Sequence, residues 1–324
     1  MKKILIIRFS SIGDIVLTTP IIRCLKQQTS AKIYYLTKKN FTEILENNPY
    51  IDELITFEKE YTEVAEYLKE LDFDLIIDLH HNLRSMLVKS FLNKPAFSFN
   101  KLNIHKWLIV KLGINFLPKK HIVDRYFDTL KEIGIVNDFE GLDFFIDKKN
   151  EVETNKLIND NNEFIAFVIG AKFNTKQLTS EKIISICNKI NYPVLLLGGN
   201  EDFEKGESIV KNTNSNIINV CGKYNLIQSA SIIKNAKLVI THDTGLMHIA
   251  SSFNKNIISI WGNTIPEFGM YPYLPKKENF KIVEVKNLKC RPCSKIGFNQ
   301  CPKKHFNCID NISPSEVIAL SEQL

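Results

Sequence analysis

Three groups of residues in this chain have the types and spacing to do chemistry. The first is Asp243-Thr244-Gly245, with His242 before it and His248 after it. A glycine at a helix start lets a ligand approach the backbone, and the free N–H groups and dipole there suit a phosphate. The same three residues also serve as a plain N-cap and turn. The second group is the small cationic loop Gly170-Ala171-Lys172-Phe173-Asn174-Thr175-Lys176, together with Gly198-Gly199-Asn200-Glu201. Lys172 or Lys176 would supply charge to a diphosphate, and Glu201 would accept a hydrogen bond from a ribose hydroxyl. The third is Asp14, in the polar loop Arg8 to Asp14. A carboxylate there can act as general base towards a bound hydroxyl. An N-capping aspartate is the competing reading.

These residues need elements to hold them, and the hydrophobic pattern supplies a regular series. Lys2 to Ile7, Lys32 to Leu36, Leu54 to Phe57 and Leu75 to Leu79 read as buried strands. Between them Ile15–Gln27, Phe41–Asn47 and Tyr61–Leu71 carry helical spacing, with Pro20 set to kink the first helix or reset its start. The second half repeats the series. Phe164–Ile169, Val194–Leu197, Ile217–Val220, Leu238–Thr241 and Ile257–Trp261 are strands. Ser180–Lys189, Asn225–Asn235 and Leu246–Phe253 are helices. Strands alternating with helices predict parallel sheets covered on both faces. The fold class expected is α/β, with two doubly wound parallel-sheet domains. Loops at Asp14, Gly170, Gly198 and Asp243 all follow a strand's carboxyl end, where open α/β sheets bind ligands.

The polar stretch from Asp138 to Glu163 marks the domain boundary, giving domains of 1–155 and 156–308 and a last helix in 309–324. That helix opens Ser313-Pro314-Ser315-Glu316, a cap with Pro at its first position. At 324 residues, 44% hydrophobic and 24% charged, the chain has a globular composition. No apolar run approaches the roughly 20 residues of a membrane span. The apolar run Ile4–Ile7 breaks at Arg8, too early for a signal peptide, so a cytoplasmic protein is expected. Neither G-x-G-x-x-G nor a Walker A pattern is present, which disfavours dehydrogenases and P-loop ATPases.

The net charge of +6 is mild, but its distribution is not. Between Asp78 and Asp124 there is no acidic residue, while Arg84, Lys89, Lys94, Lys101, Lys106, Lys111, Lys119 and Lys120 lie there with His80, His81, His105, His121 and Trp107. Such a run points to an anionic partner: nucleic acid, an anionic lipid surface or an acidic sugar. No nucleic-acid-binding module accompanies it. In the tail, Cys290, Cys293, Cys301 and Cys308 are open to two readings, a structural zinc or a metal-free thiol cluster.

Ile6-Ile7-Arg8-Phe9-Ser10-Ser11-Ile12-Gly13-Asp14, followed by Thr18-Thr19-Pro20, resembles the opening of the bacterial ADP-heptose:lipopolysaccharide heptosyltransferases. Asp243 to His248 resembles their nucleotide loop, and Asp78 to Ser85 their D-x-x-x-x-x-R-S segment. The resemblance implies a two-domain glycosyltransferase of the GT-B type, with two Rossmann-like domains facing a cleft and the last helix crossing back to the first. It implies an inverting reaction with no cofactor required. Asp14 would be the base. Lys176 would stabilise the leaving diphosphate, with Lys172, Glu201, Asp243, Thr244, Gly245 and His248 binding the donor. Ser11, Gly13, His80, Arg84 and Arg125 would hold an anionic glycolipid acceptor. The matched lysine in the family is usually followed two residues later by Trp-Pro. Here Gln177-Leu178-Thr179 follows Lys176, which leaves Lys172 against Lys176 open. The expected partners are a nucleotide sugar and the anionic acceptor, with peripheral contact at the inner membrane, no nucleic acid, and a monomeric chain. The alternative readings are a non-catalytic binder of nucleic acid or anionic membrane, which has no need of Asp14, and a sugar-nucleotide epimerase, which leaves the basic run unexplained.

Overall fold

The computed structural model describes residues 1–158, 163–214, 216–276 and 279–324. Residues 159–162 of the expected polar boundary lie outside them. The chain folds as two units. The first takes residues 1–102 and 120–145, the second residues 103–119 and 146–324. The division therefore falls at Phe145, ten residues before the boundary expected from sequence, and a short piece after Leu102 joins the second unit.

The first unit holds five strands: β1 (Lys3–Ile7), β2 (Lys32–Lys38), β3 (Glu53–Phe57), β4 (Leu75–Asp78) and β5 (Ala96–Ser98). They lie in the order β3-β2-β1-β4-β5, all parallel. Strands covered on both faces read as continuous apolar runs. Leu5, Ile6 and Ile7 are accordingly all fully buried. The expected first helix is two, Ile12–Val16 and Thr19–Gln28. Pro20 falls in the first turn of the second, where its missing N–H costs nothing, so it resets the start.

The second unit holds β6 (Ile165–Val168), β7 (Val194–Leu197), β8 (Ile217–Asn219), β9 (Leu238–His242), β10 (Asn256–Trp261) and β11 (Phe280–Glu284), in the parallel order β11-β10-β9-β6-β7-β8. Two cores flank this sheet. Ile165 and Phe167 enter one, Ala166 and Val168 the other. Each sheet is Rossmann-like. The chain runs outward from the central strand and returns to its other side, so the strand order reverses between β1 and β4, and again between β6 and β9. Ligand crevices form at such reversals, beyond the strands' carboxyl ends. Among the described residues, no helix is long and apolar enough to cross a membrane.

The final helix, Pro314–Gln323, corrects an expectation. It packs on the Ser180–Cys187 helix and beside β10 and β11, within the second unit. The reason is its apolar face: Val317 is fully buried in that unit's core, with Ile318 and Leu320 packed around it. The carbonyl of Leu324 accepts a hydrogen bond from Asn256 Nδ2 at 2.5 Å. Val317→Ala removes two buried methyl groups and should cost about 2 kcal/mol of unfolding free energy. Chemical denaturation checks this; an unchanged midpoint would mean the helix contributes nothing to that core.

Candidate active site

In the first unit the site forms where β1 and β4 end. Arg8 follows β1 and is buried. Its guanidinium donates to the carbonyls of Leu79 at 2.6 Å and Ser10 at 2.8 Å, reaches the Tyr126 hydroxyl at 3.4 Å, and pairs with Asp14 Oδ1 at 2.6 Å. Burial opposes its charge, but Asp14, Tyr126 and Tyr35 together outweigh burial and hold the Arg8 pKa above its ordinary value. Asp14 sits in the first turn of the Ile12–Val16 helix, and its Oδ2 accepts from the Ser11 hydroxyl at 2.8 Å. The N-cap itself is Ser11, and the aspartate serves it from the third helical position. It braces a helix start, and its side chain remains 22% exposed.

Asp78 ends β4, wholly buried, and organises the turn that follows. It accepts from the N–H groups of His80 and His81 and from the Ser85 hydroxyl, and pairs with Lys89 at 3.0 Å. His80 lies against the Phe9 ring, centroids 4.9 Å apart. Burial first, then Arg8 and Lys101, push its pKa down to about 4, so it is a neutral imidazole. Arg125 is buried, donates to the Asn100 carbonyl at 2.8 Å and lies 5.0 Å from the Phe99 ring centre. Ser11, Gly13, Asp14 and His80 therefore gather at this rim. Arg84 stands apart, exposed and paired with Glu60 at 3.1 Å. Arg8 had no assigned role in the sequence reading. The signal available was an arginine closing an apolar strand six residues before a carboxylate, since a buried arginine needs a partner.

In the second unit the site forms at the ends of β6, β7, β9 and β10. Asp243 follows β9. Its Oδ2 receives the Lys176 ammonium at 2.5 Å and the Thr264 hydroxyl at 2.8 Å. Thr244 is the N-cap of the Gly245–Ser252 helix, which opens on Gly245, and His248 lies on its buried side. The loop carrying Lys176 is locked from far away in sequence. Thr175 N–H donates to the Phe298 carbonyl at 3.1 Å, Phe298 N–H donates to the Thr175 hydroxyl at 2.9 Å, and Asn263 N–H donates to the Thr175 carbonyl at 3.2 Å. Gly262 permits this approach, because a Cβ there would collide with the Thr175 carbonyl oxygen.

That lock gives the two lysines different surroundings. Lys176 is half-buried against Asp243, while Lys172 is exposed, 5.7 Å from the Phe173 ring centre. The acid packed into the rim beside Gly170 and Gly198 is Asp202. It is buried and accepts from Gly199 N–H at 2.9 Å. Glu201, beside it, is exposed. Burial raises the Asp202 pKa.

Of the four tail cysteines, Cys301 and Cys308 are buried and Cys290 and Cys293 half-buried. Cys290 Sγ lies 3.7 Å from His305 Nε2. Burial pushes the Cys308 thiol up to about 11. Burial also acts to raise Cys301, but hydrogen bonds from the backbone N–H groups of Phe306, Lys303, His305 and Lys304 outweigh it and bring that thiol below its ordinary value. Among the described residues, no three His, Cys, Asp or Glu side chains are placed to hold one metal ion.

His242, the last residue of β9, is wholly buried, and its Nε2 accepts from Leu178 N–H at 2.9 Å. Burial first, then Lys205 and Lys176, push its pKa down to about 3. An unfolded imidazole takes its proton near pH ~6.5. Between those values the unfolded chain binds the extra proton, so stability rises with pH through this window and is lost as pH falls. His242→Gln keeps an acceptor for Leu178 and removes the titration. It should flatten the stability slope between about pH 4 and 6 by up to about 1.4 kcal/mol per pH unit. Urea unfolding at stepped pH measures this, and equal slopes would show that His242 does not gain its proton on unfolding.

Comparison with known proteins follows the same lines. The profile of glycosyltransferase family 9 (heptosyltransferase) matches residues 61–304. Lipopolysaccharide heptosyltransferase 1 of Campylobacter coli is 23% identical, over 99% of this chain and 98% of its own. Among solved structures, a family 9 glycosyl transferase from Veillonella parvula superposes with a TM-score of 0.79 at 21% identity, covering 99% of this chain and 96% of its own. The E. coli heptosyltransferase WaaC with ADP-2-deoxy-2-fluoro heptose superposes at 0.69 and 15% identity, covering 99% of each chain. These likenesses share the pair of Rossmann-like units expected of the GT-B type. With three quarters of its length inside the family profile, the chain is a member of glycosyltransferase family 9, the heptosyltransferases.

Proposed function

We propose that this enzyme transfers a heptose, with inversion, from ADP-heptose to the lipopolysaccharide inner core or a related anionic glycan. The observation that carries the reading is the Lys176–Asp243 pair beside the start of the Gly245–Ser252 helix. It sets a cation and free backbone N–H groups together at a strand-order reversal, where a diphosphate fits. Family membership supplies the sugar class, and the E. coli relative captured with ADP-2-deoxy-2-fluoro heptose supports the nucleotide.

Inverting displacement needs a base for the acceptor and a charge sink for the leaving group, and each unit carries one of them. The acceptor hydroxyl oxygen attacks the anomeric carbon as the bond from that carbon to the β-phosphate oxygen breaks. Asp14 takes the hydroxyl proton, and the electron pair leaves with ADP. Lys176 and the N–H groups near Thr244 and Gly245 stabilise the charge that gathers there. Asp243 and His248 shape the donor pocket, with Glu201 at the ribose and Lys172 at its outer edge. Ser11, Gly13, His80, Arg84 and Arg125 serve the acceptor. No cofactor takes part in these steps. The chain acts as a cytoplasmic monomer, and an acceptor anchored in the inner membrane requires only peripheral contact.

Asp14→Asn should leave ADP binding near normal and lower turnover by about 10²–10⁴-fold. Full activity in that variant would end the base assignment. Lys176→Ala should impair donor use more than Lys172→Ala; the reverse order would move the diphosphate to Lys172. In a thermal-shift comparison, ADP should stabilise the protein at concentrations where UDP and GDP do not. A selective shift with UDP or GDP would keep the chemistry and change the donor.

A further inference from the structure

The acid-free run between Asp78 and Asp124 has a second property that its charge does not reveal. Fifteen large apolar side chains are exposed among the described residues, and nine fall in this run: four on the Leu83–Leu92 helix and five between residues 104 and 116. Exposed apolar residues scattered singly are ordinary, but a concentration of them marks an interaction surface.

The Asn103–Leu112 helix shows the arrangement best. One side is docked, with Ile109 buried against Ile265 and Phe268. The remaining surface presents Ile104 at 73% exposure, Trp107 at 52% and, at the edge nearer Ile109, Leu112 at 58%, with exposed Lys111 among them. At 100° per residue these four lie within one arc, as their spacing requires. The chain then runs on through exposed Ile114 and Phe116 to exposed Lys119. Tryptophan and aliphatic residues interleaved with lysine, without any acid, match the boundary between water and an anionic lipid surface. A second copy of the chain fits poorly, since its like-charged face would be repelled.

We propose that the Asn103–Leu112 helix and the following loop to Lys119 form a shallow insertion face for an anionic lipid bilayer. The inference deepens the peripheral membrane contact of the proposed function, but lipid binding itself requires neither donor nor acceptor sugar.

The test uses the full chain with vesicles of phosphatidylglycerol and phosphatidylethanolamine against vesicles of phosphatidylcholine. The chain has two tryptophans, and Trp261 is 1% exposed, so an emission shift reports Trp107. Co-sedimentation with the anionic vesicles and a blue shift of Trp107 are expected, both weakened by salt. Ile104→Ser with Trp107→Ser should abolish sedimentation while leaving the melting temperature and its shift with ADP unchanged. Lys111→Gln with Lys119→Gln should weaken binding by about fivefold for each lysine removed. Absence of sedimentation at low salt, equal binding to neutral vesicles, or undiminished binding by the serine variant would each overturn the proposal. So would a wild-type dimer that the serine variant splits with no change in lipid binding. Lack of an ADP shift in the wild type would count against the proposed donor alone.

Discussion

At the carboxyl end of β9 a lysine ammonium and an aspartate carboxylate lie 2.5 Å apart, and the second unit's rim is built to keep them there. A half-buried ion pair contributes little by itself, because desolvation offsets much of the attraction. Its use is positional. Thr264 gives Asp243 a second donor, and the Thr175 lock leaves Lys176 few alternative places to reach. On the proposed reading an arriving diphosphate would share the lysine with Asp243, so Lys176 would not act as a bare cation. The balance of the attraction falls to the backbone N–H groups at the helix start, which carry no counter-ion and need no reorganisation.

The first unit meets a similar need with opposite burial. There the cation, Arg8, is the deeply placed partner, fixed by the Leu79 and Ser10 carbonyls, and the carboxylate is the exposed one. Both Asp14 oxygens are engaged, one by Arg8 and one by Ser11. Oδ2 takes both the hydroxyl and the backbone N–H of Ser11, so the carboxylate is held in one orientation at the rim. The planar, forked guanidinium suits this service better than an ammonium would, since it can hold two carbonyls and a carboxylate in fixed directions.

Much of this was legible in the sequence because the deciding contacts were local. Asp14 and Ser11 are three residues apart, Pro20 marks its own helix start, and Asp243 to Gly245 adjoin the strand that aims them. Where neighbouring residues differ in their surroundings, contacts beyond the local pattern decide. Lys172 and Lys176 follow the same strand, and only Asn263 and Phe298 separate their fates. Glu201 and Asp202 are equivalent as text, yet Asp202 turns inward to cap Gly199 while Glu201 meets solvent. β5 is three residues long and offers no period to detect, and β11 was hidden in a tail read for its cysteines.

The segment after Leu102 was missed for another reason. Charge drew attention to the acid-free run, and a count of charges is blind to which way side chains face. The chain also passes between the units more than once: residues 103–119 belong to the second unit and residues 120–145 to the first. Ile109 on one side of the Asn103–Leu112 helix, Ile104 and Trp107 on the other and Leu112 between them blur the period that an amphipathic helix would show. A helix apolar on two sides needs two coverings. Ile265 and Phe268 provide the first, and the exposure of Trp107 places the second outside the fold of this chain.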